Sequence, residues 1–389
     1  MDTEILKRVF MILGTTFLFV LFITPFIKSI ARHVGALDIP NERKVHKFPM
    51  PRLGGLAIFF GFLLGYMLFG EHSVIMNSIL IASFIVILTG VVDDIKPLKA
   101  STKFIGQLVA AGIIVFYGNI ILRDVSAFGI YIDFGMFSIP FTIFFILGCI
   151  NCMNLIDGLD GLAAGISSIY FATIGIIAIM QGKFGLDFIL TFIMLGSTLG
   201  FLVHNFNPAT IFMGDSGSMF LGLIISVIAL LGFKNVTMTS FIIPLLLLAI
   251  PILDTIFAII RRALKGEKIS TPDKYHIHHQ LLKRNLTQRQ TVIAIYIINI
   301  LFASASIVYV LKDPTLGYII YGILLAIVLI FIITTDVVYD SSKLRKKVKS
   351  KLFDKNKKKG KEAETKESVK KEKAKQVEQK EKKPAKKKT

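Results

Sequence analysis

Five aspartates stand where apolar runs stop. Asp93 and Asp94 follow Ile85 to Val92 directly, Asp157 and Asp160 lie in NLIDGLDGLAAG, and Asp215 lies in HNFNPATIFMGDSGS. Carboxylates that converge without charge partners repel one another and raise one another's pKa, so a bound divalent cation is the economical way to hold them together. Asp and Asn oxygens are hard ligands, which favours Mg2+, with Mn2+ as a possible substitute, over zinc. Because Mg2+ keeps several waters and takes one or two carboxylates plus substrate phosphates, not all five acids can be ligands. Asn154 and Asn205 accompany the acids in the same motifs. If NLIDGLDGLAAG is helical, its i, i+3 spacing sets Asp157 and Asp160 on one face.

A second set of residues is basic. RKVHKFPMPRLGG places Arg43, Lys44, His46, Lys47 and Arg52 beside a Gly-Gly pair that lets backbone approach a ligand closely. Further on, Arg261 and Arg262 open RRALKGEK, and DKYHIHHQLLKR gathers Asp273, His276, His278 and His279. A His-rich tract can bind zinc, but no cysteine accompanies it and the surrounding Lys and Arg disfavour a cation. Histidine and arginine together suit phosphate oxygens better. An acidic metal site beside phosphate-binding bases points to phosphoryl transfer, with a phosphorylated cytosolic substrate meeting an acceptor in the membrane.

The elements that must position these groups are membrane spans. Of 389 residues, 53% are apolar and 18% charged, against about 25% charged in an ordinary soluble domain, which argues against a water-soluble enzyme. Crossing the hydrocarbon takes about 20 mostly apolar residues, and eleven runs approach that length: 9–27, 54–69, 74–92, 104–121, 137–150, 162–180, 188–203, 219–233, 241–260, 292–311 and 316–335. The fold expected is an all-α polytopic membrane protein of about eleven transmembrane helices. The first run has Asp2 and Glu4 before it and no A-x-A-like site after it, so it reads as a span and not as a cleaved signal. Between the fourth and fifth runs, residues 119–138 alternate Ile130, Ile132 and Phe134 in the manner of a short hairpin. Cys149 and Cys152 lie in an apolar stretch with no second Cys pair, and read as small buried apolar residues.

Charge sets the expected orientation. Residues 341–389 carry 22 Lys and Arg against 7 Asp and Glu, so the tail holds +15 of the formal +19 and the rest of the chain only +4. A basic core for nucleic acid is therefore unsupported. The chain divides into a membrane unit, 1–340, and a Lys-rich tail, 341–389, that lacks the apolar residues to fold alone and reads as disordered, either adhering to anionic membrane lipids or simply solvated. Segments 28–52, 96–103 and 261–289 hold 17 of the 23 remaining Lys and Arg, and such segments stay cytoplasmic. That puts the N-terminus outside, the tail inside, and every acidic and histidine cluster named above on the cytoplasmic face.

VVDDIKPL, NLIDGLDGLAAG, NPATIFMGDSGSMFLG and the DKYHIHHQLL loop, in this order and spacing over Arg43 to roughly Arg284, resemble the polyprenyl-phosphate N-acetylhexosamine-1-phosphate transferase superfamily, glycosyltransferase family 4. RKVHKFPMPRLGG, PILDTIFAIIRR and the HIHH form are similar to its TagO/WecA-type branch, whereas the related MraY-type branch has a TPTMGG first loop and HHHFE. The resemblance implies a reaction between UDP-N-acetylglucosamine and undecaprenyl phosphate that gives undecaprenyl-diphospho-GlcNAc and UMP, at the first membrane step of a surface glycan such as wall teichoic acid, and a homodimer is compatible with it. It implies Asp215 as the Mg2+ ligand, and Asp93 and Asp94 on the lipid phosphate or metal. Asp157, Asp160, Asn154, Asn205, Arg52, Arg261, Arg262, His276, His278 and His279 would complete the catalytic and nucleotide-sugar site, with Lys47 on the phosphates. Asp93 is often assigned as general base in this family. A phosphate monoester is already mostly dianionic at pH 7, so proton removal should contribute little. Competing readings are an MraY-type transferase, an ion-coupled transporter and a scaffold acting through its basic tail. A transporter would carry its acids near the bilayer midplane, where only Asp254 is a candidate.

Overall fold

The computed structural model describes residues 3–40, 48–127, 130–234, 242–266, 276–311 and 314–334. All belong to one compact unit, Met1–Val338. The basic tail lies outside the described residues, as do Arg43, Lys44, His46, Lys47 and Asp273.

Among the described residues thirteen α-helices follow in order, with four short strands between some of them. Helix α1 (Thr3–His33) leads through β1 (Leu37–Asp38) and β2 (Met50–Pro51) to α2 (Gly54–Phe69) and α3 (Val74–Ile95). Helix α4 (Ala100–Gly112) continues as a π-helical turn, Ile113–Tyr117, and precedes β3 (Asp124–Ala127) and β4 (Ile130–Asp133). Then come α5 (Ser138–Ile156), α6 (Leu162–Met180), α7 (Leu186–Asn205) and α8 (Gly214–Lys234). The last five are α9 (Ile242–Leu247), α10 (Ala249–Lys265), α11 (Ile277–Lys283), α12 (Gln288–Leu311) and α13 (Pro314–Thr334).

Among the described residues nine helices are long and apolar enough to cross a membrane, and the chain is a polytopic helical membrane protein. They answer nine of the eleven apolar runs. The second run forms α2, only 16 residues long. The ninth is not one helix: it divides at Leu248 into α9 and α10, a break that apolar content alone does not reveal. The hairpin expected in 119–138 is present, with β3 antiparallel to β4 and Val125 opposite Ile132. Both cysteines are buried and free.

Helix α8 is the axis of the bundle. Some 94% of its apolar window is buried, against 22% for α13 at the periphery. Lipid tails are as apolar as Leu, so helices in a bilayer are drawn together by close packing, which small residues permit. A methyl group on Gly55 of α2 would lie 2.1 Å from the backbone nitrogen of Gly217, and one on Gly90 of α3 would lie 2.3 Å from the Cα of Ser216. The first turn of α8 is thus wedged against α2 and α3, and α5 packs along its other side. Buried hydroxyls of Thr16, Thr24, Thr191 and Ser197 close onto carbonyls four residues back, satisfying polar groups where no water reaches.

Candidate active site

Where α3 ends, α8 begins, and Asp94 joins them. Its carboxylate accepts from the backbone N–H of Asp215 (2.9 Å), the N–H of Ser216 (3.1 Å) and the Ser216 hydroxyl (2.7 Å). The first amides of a helix have no partner within it and carry the positive end of its dipole, so a buried carboxylate is stabilised there. Gly214 makes this possible. Its φ is +76°, and a methyl group on it would fall 2.3 Å from Asp94 Oδ2. Asp93 turns elsewhere, accepting from the Leu98 N–H (2.8 Å) and from Lys103 Nζ (3.3 Å). Asp215 receives Lys103 Nζ at 2.7 Å and Arg52 Nη2 at 3.2 Å. Asp93, Asp94 and Asp215 each offer an oxygen within 4.8 Å of the others.

Backbone pairing delivers Arg52. Strands β1 and β2 pair Leu37 with Pro51 and Asp38 with Met50, and the Arg52 N–H donates to the Ala36 carbonyl (2.9 Å). On its other side the segment is zipped to the loop before α8: Phe212 N–H to Pro51 O (2.8 Å), Gly54 N–H to Phe212 O (3.0 Å) and Gly55 N–H to Met213 O (2.9 Å). Leu53, caught between these bonds, takes a left-handed φ of 87°, a strained state that persists where its surroundings over-determine it. The guanidinium then spans Asp94 (3.2 Å), Asp215 (3.2 Å) and Asp38 (3.4 Å). Lys103 is the cation that sequence reading missed, having been counted only as a loop charge. It stands on α4, and no periodicity relates it to the acid of α8 that it contacts.

Helix α5 supplies the next two groups. The Asn154 amide donates to Ser218 Oγ (2.9 Å), in the first turn of α8. The helix stops at Ile156, and residues 157–161 form a turn. The condition under which Asp157 and Asp160 would share a helical face is therefore not met. Gly158 and Gly161, the latter at φ +79°, let the chain turn, and the two carboxylates part. Asp160 accepts from the Asn207 amide (2.9 Å) and the Ala209 N–H (3.1 Å), bracing the loop before α8. Asp157 stays with the acids: burial, then the charges of Asp215 and Asp94, push its carboxyl up to about 8 despite Arg52. Asp93, Asp94, Asp157 and Asp215 thus outnumber Arg52 and Lys103, an excess of carboxylates that protonation of Asp157 or a bound cation would relieve. Their all-oxygen donor set suits Mg2+ or Mn2+. Asn205, buried at the end of α7, has both ends of its amide engaged, accepting from the Gly161 N–H (3.1 Å) and donating to the Ile211 carbonyl (2.9 Å). It holds the two loops that flank the acids.

The histidines arrive over α10. Asp254 accepts from the Ile277 N–H (2.7 Å) at the start of α11 and pairs with His276 Nδ1 (2.8 Å). The one acid suspected of lying deep in the bundle thereby holds the histidine segment in place. His278 lies over Gly158, where a methyl group would come within 2.8 Å of Nε2, so this segment reaches the acidic turn. Burial, with His279 next, drives the His278 pKa down to about 3, and the ring is a neutral donor or acceptor at physiological pH. His279 is half-buried, its ring centroid 4.3 Å from that of His278, and Arg261 and Arg262 are buried on α10. Lys47 lies outside the described residues.

The model of the family described as glycosyl transferase family 4 matches residues 76–233, which include Asp93, Asp94, Asp157 and Asp215. A probable undecaprenyl-phosphate N-acetylglucosaminyl 1-phosphate transferase of Bacillus subtilis is 42% identical over 333 residues, 85% of this chain and 92% of that protein. A decaprenyl-phosphate N-acetylglucosaminephosphotransferase of Mycolicibacterium smegmatis is 32% identical over 80% of this chain and 84% of its own length. An undecaprenyl-phosphate alpha-N-acetylglucosaminyl 1-phosphate transferase of Escherichia coli K12 is 26% identical over 75% and 81%. Carboxylates from α3 and α8, joined at the head of α8, in a chain that relatives match over most of its length, place it in glycosyl transferase family 4, within its polyprenyl-phosphate N-acetylglucosamine-1-phosphate transferases.

Proposed function

We infer that the chain transfers N-acetylglucosamine 1-phosphate from UDP-GlcNAc to undecaprenyl phosphate, releasing UMP, as a Mg2+-dependent enzyme in which Mn2+ can substitute. The observation that carries this reading is the convergence of Asp93, Asp94 and Asp215 within 4.8 Å, bridged by Arg52 and Lys103. The names of the relatives support undecaprenyl phosphate as acceptor and N-acetylglucosamine 1-phosphate as the group transferred.

An oxygen of the acceptor phosphate attacks the sugar-bearing phosphorus of UDP-GlcNAc. The bond from that phosphorus to the bridging oxygen breaks, and the electron pair leaves with UMP. The acceptor is mostly dianionic at pH 7, so the attack needs no base. Asp215 is the residue we assign to the metal, with Asp93 and Asp94 beside it. A bound Mg2+ neutralises charge that develops on the diphosphate oxygens. Arg52 and Lys103 meet phosphate oxygens directly, and fixed cations in a site that excludes water stabilise that charge without reorganising. Asp94 serves chiefly by fixing α8, and hence Asp215, against α3. Asn154 and the histidine segment border the nucleotide-sugar side.

The excess of Lys and Arg in 28–52, 96–103 and 261–289 supports a site on the cytoplasmic face of the cell membrane, with α2 and the α9–α10 pair completing eleven passes. The product would feed a cell-surface glycan pathway such as wall teichoic acid, and a homodimer is the assembly we propose. Incubating the purified protein with Mg2+, undecaprenyl phosphate and either UDP-GlcNAc or UDP-N-acetylmuramoyl-pentapeptide, and following UMP, tests the reading. Release with the second donor alone would move the chain to the MraY-type reaction, and release with neither would sink the assignment.

A further inference from the structure

Helix α12 contributes no acid, yet one of its side chains reaches the acidic turn. Tyr296 is half-buried, and its hydroxyl donates to the carbonyl of Gly161, the last residue of the turn that begins at Asp157. The ring enters because Gly165, one turn into α6, has no side chain: a methyl group there would lie 2.0 Å from the ring carbon Cζ. Asn205 meanwhile accepts from the Gly161 N–H at 3.1 Å. Gly161 is therefore held at its N–H from α7 and at its carbonyl from α12 as well as by the Gly165 N–H of α6 (2.9 Å), at a residue whose positive φ makes the turn.

We propose that Tyr296 is a positioning residue of the active site, whose hydroxyl fixes the Gly161 peptide and through it the carboxylate of Asp157. The turn is also tied to α6, with Leu162 N–H donating to Leu159 O (3.0 Å) and Gly165 N–H to Gly161 O (2.9 Å), so the hydroxyl is a second donor at that carbonyl and the one that comes from outside the turn and its own helix. Gly158 donates only to Ile156 O (2.8 Å), and Asp160 is held by the loop before α8, not by α6. Helix α12 also follows directly after α11, so Tyr296 ties the histidine end of the site to the acidic end through one rigid element.

Its kinetic readout rests on the transferase reading, so the test pairs it with one that does not. Tyr296→Phe keeps the ring and removes only the hydroxyl. Hydrogen–deuterium exchange of the purified protein should show amides in 158–165 exchanging at least about tenfold faster, with the first turn of α8 unchanged. In the transferase assay kcat should fall about tenfold while KM for UDP-GlcNAc stays within twofold. In an Asp157→Asn background, followed with radiolabelled donor, the same substitution should change the residual rate less than twofold, because groups acting through one another are not additive. Unchanged exchange, or an equal fractional loss of rate in both backgrounds, overturns the proposal. A wild-type protein without turnover would overturn the transferase reading instead and leave the exchange result to decide on Tyr296.

Discussion

The two ends of α12 show two ways of burying polar groups. Near its start, Tyr296 reaches the turn that leads from Asp157, beside carboxylates bridged by Arg52 and Lys103. Thirteen residues on, about 20 Å along the helix, Tyr309 pairs with Tyr318 (3.0 Å) and Tyr321 donates to Ser306 (2.8 Å), which donates to the Phe302 carbonyl (2.8 Å). The tyrosine cluster holds its hydroxyls with hydroxyl and carbonyl partners and gathers no carboxylate of the acidic centre, so it lends order without concentrating charge. The acidic centre is held by its own ion pairs but has more carboxylates than cations, an excess that a proton or a cation from solution balances. Buried polar groups that satisfy one another stabilise a fold; those that leave charge over are sites.

The sharpest way to break this contrast is at Asp215. Replacing it by Asn should lower turnover by at least about 10^3, on the scale of losing a major charge-stabilising element, while the thermal midpoint in detergent barely moves. Activity within tenfold of the parent would remove Asp215 from the metal. Lys103→Met comes next, with a loss of about 10^2 in kcat/KM, as for one fixed donor to a developing charge. If Lys103 only neutralises Asp215 in the resting protein, the substitution should leave the rate intact and tighten Mn2+ binding measured by paramagnetic resonance.

Asp93→Asn separates roles within the centre. Its oxygens are already engaged by Leu98 and Lys103, so the expected loss, about tenfold, should be the same at pH 6 and pH 8. A smaller loss at pH 8, where the acceptor is fully dianionic, would restore Asp93 as the base. At the far end, Tyr321→Phe should lower stability by about 1 kcal/mol, the usual net value of one hydrogen bond, with turnover within twofold. A larger effect on rate than on stability would mean the tyrosine cluster is coupled to the chemistry after all.

Much of the site was legible residue by residue. Asp93, Asp94 and Asp215 were recognisable because charges at the ends of apolar runs are costly unless used, and the structure brings them within 4.8 Å. Asp160 and Asn205 were read as parts of the site, yet their side chains are bound to the two loops that frame it. The roles of Lys103 and Asp254 escaped notice, and Tyr296 was not noticed at all. Lys103 was hidden among charges that orient the chain, Asp254 looked like a lone deep acid, and a tyrosine in an apolar helix has nothing to mark it. Nor could hydropathy show that the ninth apolar run divides at Leu248, since the residues on either side of the break are apolar.

What the chain announces by itself is whatever depends on neighbours in sequence: the apolar lengths that demand membrane helices, the charges that bias their ends, the hard oxygen donors that suit magnesium, and the motif order that marks the family. Which carboxylate caps α8, which faces a lysine, and which is left with too much negative charge were decided by helices meeting through Gly55, Gly90 and Gly217. Hydropathy is a local sum along the chain, whereas an ion pair between α4 and α8 exists only once the helices between them have packed.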